Sequence, residues 1–129
     1  MKLAATMLML GVMWSVTVPD RLLTPDTFSV DAASYRSFGF EVSKFGRVSG
    51  RFRTDSESRN GIRVFLVDQD DVENFRSGRE FRSYYDSGQV SEARVDVQLR
   101  YGRYVLIFDN RASHYSNPTV TSTLKLDED

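Results

Sequence analysis

The chain has no cysteine, one histidine, one tryptophan and three prolines in 129 residues. Without cysteine there is no disulfide framework, no thiolate zinc site and no cysteine nucleophile, so the fold rests on its core alone. With His114 as the single histidine, a multi-histidine metal site and a pair of catalytic histidines are both excluded. Only a triad drawing on that one ring remains arithmetically possible. An excess of either charge is also missing: 17 Lys and Arg stand against 18 Asp and Glu, for a formal net charge of -1. A dedicated nucleic-acid binder needs a concentrated positive surface, and these arginines are scattered, so no nucleic-acid partner is expected. No Gly-rich phosphate loop, no Gly-x-Ser-x-Gly and no internal repeat is present.

The one long apolar run lies at the start. Lys2 precedes a stretch from Leu3 to Val18 broken only by Thr6, Gly11, Ser15 and Thr17, and Pro19-Asp20-Arg21 then turns polar. A basic start, an apolar stretch and small residues near its exit are the grammar of an export signal. The run is shorter than the roughly 20 residues of a spanning helix. Residues 1–19 therefore read as a signal peptide or, if uncleaved, a membrane anchor, and 20–129 as a single domain outside the cytoplasm.

From Phe28 onward apolar residues alternate with polar ones, and the breaks fall at Gly, Asn, Asp and Ser. This predicts an all-β domain of about eight short antiparallel strands, packed as a two-sheet β-sandwich because each strand has an apolar face to bury. Tyr35–Ser43 and Arg47–Thr54 are expected to form a hairpin around Lys44-Phe45-Gly46, which sets Val42 opposite Val48, Phe40 opposite Gly50 and Phe38 opposite Phe52. Ile62–Val67, Phe81–Asp86, Ala93–Leu99, Tyr104–Phe108 and Thr119–Leu126 read as further strands. Asp68, Asp70 and Asp71 ahead of Val72 and Phe75 predict a capped helical turn near 70–77, stopped by Ser77-Gly78.

The run Gly102-Arg103-Tyr104-Val105-Leu106-Ile107-Phe108-Asp109-Asn110, followed by Ser113, Ser116 and Val120, resembles the closing hairpin of GOLD-type domains. These are lumenal β-sandwiches of secretory-pathway cargo receptors, and bacterial secreted proteins carry similar sandwiches, including pre-peptidase C-terminal domains. The likeness to the bacterial kind is greater, and it extends loosely back through Ser83–Gly88 to Phe38. Ala112 stands where the family usually has an aromatic residue, and Pro118 where it usually has Lys. The cargo receptors use a lumenal disulfide that this chain cannot form, so their role is not carried over. The resemblance implies a structural part for Gly102, Tyr104, Phe108, Asp109 and Asn110. Their chemistry agrees: Gly102 suits a tight turn, and Asp109-Asn110 can bend the chain by bonding their own backbone.

Nothing in the sequence assembles a catalytic or cofactor site. A calcium loop begun at Asp68 would need Gly and Glu where Glu73 and Arg79 stand. His114 falls in the polar loop Ala112–Asn117, where a solvent-exposed ring is expected. Arg47, Arg51 and Arg53 alternate along one strand face, either as a solvated stripe or as a contact for an anionic glycan or lipid. Ile62–Val67 and Tyr104–Phe108 are apolar on both faces. The second face, with Phe65, Val67, Val105 and Ile107, must be covered by the Asp68–Gly88 excursion, by the N-terminal segment or by a partner. The sequence thus predicts a non-enzymatic, cofactor-free interaction or accessory module whose partner is another protein or a surface glycan. The second reading is a carbohydrate or small-ligand binder using exposed aromatics such as Tyr101 and Tyr115. A small hydrolase using His114 is a third.

Overall fold

The computed structural model describes residues 21–55 and 60–128. The export-signal reading of residues 1–19 lies outside the described residues. In chain order the described elements are β1 (Arg21–Leu22), β2 (Thr27–Ser29), β3 (Tyr35–Thr54), β4 (Ile62–Asp68), a 3₁₀ turn (Gln69–Asp71), α1 (Val72–Arg76), β5 (Tyr85–Val90), β6 (Glu92–Asp109), β7 (Thr119–Ser122) and β8 (Lys125–Glu128).

Two strands dominate, β3 with 20 residues and β6 with 18. They pair antiparallel along their whole length, from Tyr35 opposite Asp109 to Arg53 opposite Glu92. At about 3.3 Å per residue, strands this long outrun a single compact layer and must bend. The bend falls where the register slips between Val42 and Phe45, and glycines sit at and just beyond it. Gly102, opposite Val42, has φ 153°. Gly50 has φ 134°, and a Cβ there would stand 2.5 Å from the Thr123 carbonyl oxygen. A side chain is excluded at Gly50 on both counts.

The bend turns one connected sheet into two facing layers. In the first, residues 35–42 of β3 lie beside residues 102–109 of β6, which pair on their other side with β4, and β5 closes the edge. In the second, residues 92–100 of β6 lie beside residues 45–53 of β3, followed by β7 and β8, with β2 and β1 at the rim. Val64, Leu66, Leu106 and Phe108 of the first layer pack on Val48, Phe52, Val95, Val120 and Leu126 of the second in one buried cluster. The domain is an all-β, antiparallel β-sandwich of eight described strands, as the alternation predicted.

Three expectations about pairing are corrected. Tyr35–Ser43 and Arg47–Thr54 do not form a hairpin: they are one strand running through both layers, and Phe38, Phe40 and Val42 face Leu106, Tyr104 and Gly102. Ala93–Leu99 and Tyr104–Phe108 are likewise one strand, so Gly102 serves a bend inside β6 and not a turn between strands. The segment that continues through Ser113 and Ser116 is no closing hairpin either. β6 ends in the first layer, whereas β7 pairs with β2 and β3 in the second, so residues 110–118 cross between layers. The strand expected at Phe81–Asp86 begins later, at Tyr85.

Candidate functional site

Asn110 ties the crossing segment to the start of the domain. It is buried, and its Nδ2 donates to the carbonyls of Ser116 (2.9 Å), Asp31 (3.1 Å) and Val30 (3.4 Å). Its own N–H donates to the Ser34 carbonyl at 2.8 Å. The two loops are then stitched by Ala32 N–H to Asn117 Oδ1 (2.7 Å) and Ala33 N–H to the Ser113 carbonyl (2.6 Å). Asp109 does bond its own neighbourhood, accepting from the Arg111 N–H at 2.9 Å, whereas Asn110 reaches backbone some 80 residues away. These contacts give Asn110 a fold-holding part, because one buried amide joins the 30–31 stretch to Ser116, and the Val30 carbonyl it satisfies is buried.

The outward face of the first layer is closed from within the chain. Phe65, Val67, Val105 and Ile107 are all buried, beneath Phe75 of α1, with Tyr35, Val72 and Phe81 packed around them. Phe75 meets Tyr35, Phe65 and Phe81 edge-on at centroid distances of 5.0, 5.9 and 5.6 Å, and the Arg111 guanidinium caps its ring at 3.9 Å. The reading of these four side chains as a face open to a partner is therefore corrected. The Asp68–Gly88 excursion is the cover. Its acids do a different job from the capping expected of them: neither Asp68 nor Asp71 caps a helix with its side chain. Asp68 Oδ2 accepts from the Tyr84 hydroxyl at 2.9 Å, and Asp71 Oδ1 from Asn74 Nδ2 at 3.2 Å.

Beside this cover runs an open groove of about 980 Å³, walled by Arg63, Asp68, Arg79, Phe81, Asp86 and Arg111 among others. Several of its charges are matched to one another. Arg63 grips Asp86 through two bonds of 2.9 and 2.6 Å, and Arg111 grips Asp109 at 3.0 Å. The hydrogen bond from Arg63 is the main cause holding the Asp86 carboxyl below the usual aspartate value. The bond to Asp68 is the main cause pushing the Tyr84 phenol up to about 12. Both are locked in their ordinary charge states near neutral pH, which suits a fixed surface better than proton transfer. His114 lies beyond the end of β6 in the crossing segment, outside the residues that wall the groove, and its ring neighbour is Tyr115, 6.5 Å away. Among the described residues, no group of three or more His, Asp or Glu side chains is placed to hold a metal ion.

Tyr101 is 75% and Tyr115 96% exposed, but they are carried by different parts of the fold: Tyr101 by β6 at the bend, and Tyr115 by the segment that crosses between layers after β6 ends at Asp109. Sequence reasoning also missed a juxtaposition on the second layer, where Arg51 faces Arg94 directly.

No family model matches the chain, and no curated protein matches it. Among solved structures it is similar to the pre-peptidase C-terminal domain of a collagenase from Bacillus anthracis, with a TM-score of 0.52 and 13% identity, over 80% of this chain and 89% of that one. At that identity the likeness speaks for the fold alone: the chain is a β-sandwich similar in fold to that domain.

Proposed function

We propose that this chain is a non-enzymatic accessory module that works outside the cytoplasm by contact with another molecule. The observation that carries the reading is the likeness of its sandwich, over 80% of its length, to the pre-peptidase C-terminal domain of a collagenase. The paired charges of the groove support it, since Arg63–Asp86 and Arg111–Asp109 leave those groups as matched surface features. The finer kinship with GOLD-type domains rests on the run Gly102 to Asn110, whose Phe108 lies in the core and whose Asn110 fastens two loops. The apolar segment before Pro19 supports export.

The test is an assay of the purified chain against ester, peptide and glycoside substrates. No turnover above buffer is expected. Turnover that disappears in His114→Ala would make the chain a small hydrolase and overturn the reading.

A further inference from the structure

The outer face of the second layer carries a charge arrangement that pairing of the strands does not need. Arg51 on β3 stands directly opposite Arg94 on β6. Directly opposed residues share a face with Cβ atoms about 4.5–5.5 Å apart, and like charges so placed work against the sheet. Arg53, two residues along β3, rises from the same face. Two other arginines of the long strands have acids in hand: Arg47 holds Asp96 at 2.6 Å, and Arg103 holds Glu41 at 3.0 Å. Among the described residues Arg51, Arg53 and Arg94 are in no ion pair, although Glu92 stands opposite Arg53.

Two adjoining depressions of about 570 and 510 Å³ cross this face, and Arg51, Arg94 and Thr123 line both. The Thr123 hydroxyl accepts from the Arg51 N–H at 3.1 Å, fixing the backbone from which one guanidinium projects. Thr121 adds a hydroxyl to the wall. We infer that this trough binds an anionic polysaccharide, with sulfate or carboxylate groups seated between Arg51 and Arg94. The inference rests on the reading of the chain as a contact module and supplies its ligand class and face. Planar guanidinium forks match the paired oxygens of such groups, and a bound anion would relieve the repulsion that the free face bears. Around the trough the face is hydrophilic, with Ser49, Asp96, Gln98 and Thr123 along it, and its exposed apolar residues are Leu22 at the edge and Phe45 at the bend end of the same row of β3. A trough carrying Arg51, Arg94 and the hydroxyls of Thr121 and Thr123 suits a hydrated polymer. The chain as a whole is slightly acidic, so a polyanion is drawn to this face and not to the molecule at large.

Titration of the purified chain with dextran sulfate, with neutral dextran, and with vesicles containing phosphatidylserine tests the inference. Dextran sulfate is expected to bind, more weakly at high salt, and neutral dextran and the vesicles are not. Arg51→Gln and Arg94→Gln should each weaken binding by about 10-fold or more with no fall in Tm, because each removes half of a repelling pair. Arg103→Gln, on the other layer, should bind as the parent does. Absence of dextran sulfate binding, an equal loss in Arg103→Gln, or preference for the vesicles would each overturn the inference. Such a result in a chain still retained by a protein companion leaves the contact reading standing, whereas enzymatic turnover strikes that reading itself.

Discussion

Phe108 of the first layer and Phe52 of the second meet edge-on across the sandwich, with ring centroids 6.0 Å apart. Phe28 and Phe38 pack against the same Phe108 ring at 4.9 and 5.8 Å, so this one side chain joins three strands and both layers. Phe108→Ala should cost about 3–5 kcal/mol, a large share of a domain stability of about 5–15 kcal/mol. Urea denaturation reads it directly, as a midpoint shifted far below that of the parent.

Asn110→Ala removes the donor that answers three carbonyls between the loops. A loss of about 2–3 kcal/mol is expected. Asn110→Asp should be worse, since a carboxylate would face the Val30, Asp31 and Ser116 oxygens. Thermal melts of the two variants should rank in that order.

Because Phe75 and its neighbours cover the first layer's outward face, Ile107→Ser should destabilise the isolated domain, and Val105→Ser should do so to a smaller degree at the rim of the cluster. Phe75→Ala should loosen the excursion selectively, seen as faster proteolysis within residues 69–84. Ser variants that melted like the parent would mean that the face is covered from outside.

The Arg63–Asp86 pair gives a pH signature. The Asp86 carboxyl is held below its ordinary value of 3.8 in the folded domain, so its contribution is complete above that value and is lost as the pH falls through the depressed folded one. The pair is partly exposed, and a contribution of about 0.5–1 kcal/mol is expected. Asp86→Asn should lower stability at neutral pH, and the gap to the parent should close on acidification.

Chelation should leave the melting temperature unchanged, since Asp68 and Asp71 already serve Tyr84 and Asn74. A fall of several degrees restored by calcium would show that these acids bind metal.

The alternation revealed which residues face the core but not which strands pair. Phe38, Val42, Val48 and Phe52 point inward whether residues 35–54 fold back as a hairpin or run on as one strand, because both arrangements keep the even positions on one face. Lys44-Phe45-Gly46 carries the chemistry of a turn and is used at a bend, a choice set by the partner β6 and not by local preference. The opposition of Arg51 and Arg94 was hidden for the same reason, since it exists only once β3 and β6 are paired. At β5, Asp86-Ser87-Gly88 looks like a strand end. The strand continues through it because the Ser87 hydroxyl accepts from the Val64 N–H at 2.8 Å, and Asp86 accepts from both Gly88 and Arg63. The helical turn and the doubly apolar strands were legible, because their patterns are local.

The central claim is that this sandwich acts outside the cytoplasm by holding another molecule. Fractionation of native host cells, followed by purification of the chain and mass spectrometry of what stays with it, tests that claim most directly. The account predicts a chain in the extracytoplasmic fraction, trimmed before about Asp20 or membrane-held through that segment, with a protein or glycan retained in fixed proportion. A soluble, full-length chain in the cytosol, or an exported chain that carries no companion even after cross-linking in place, would contradict it.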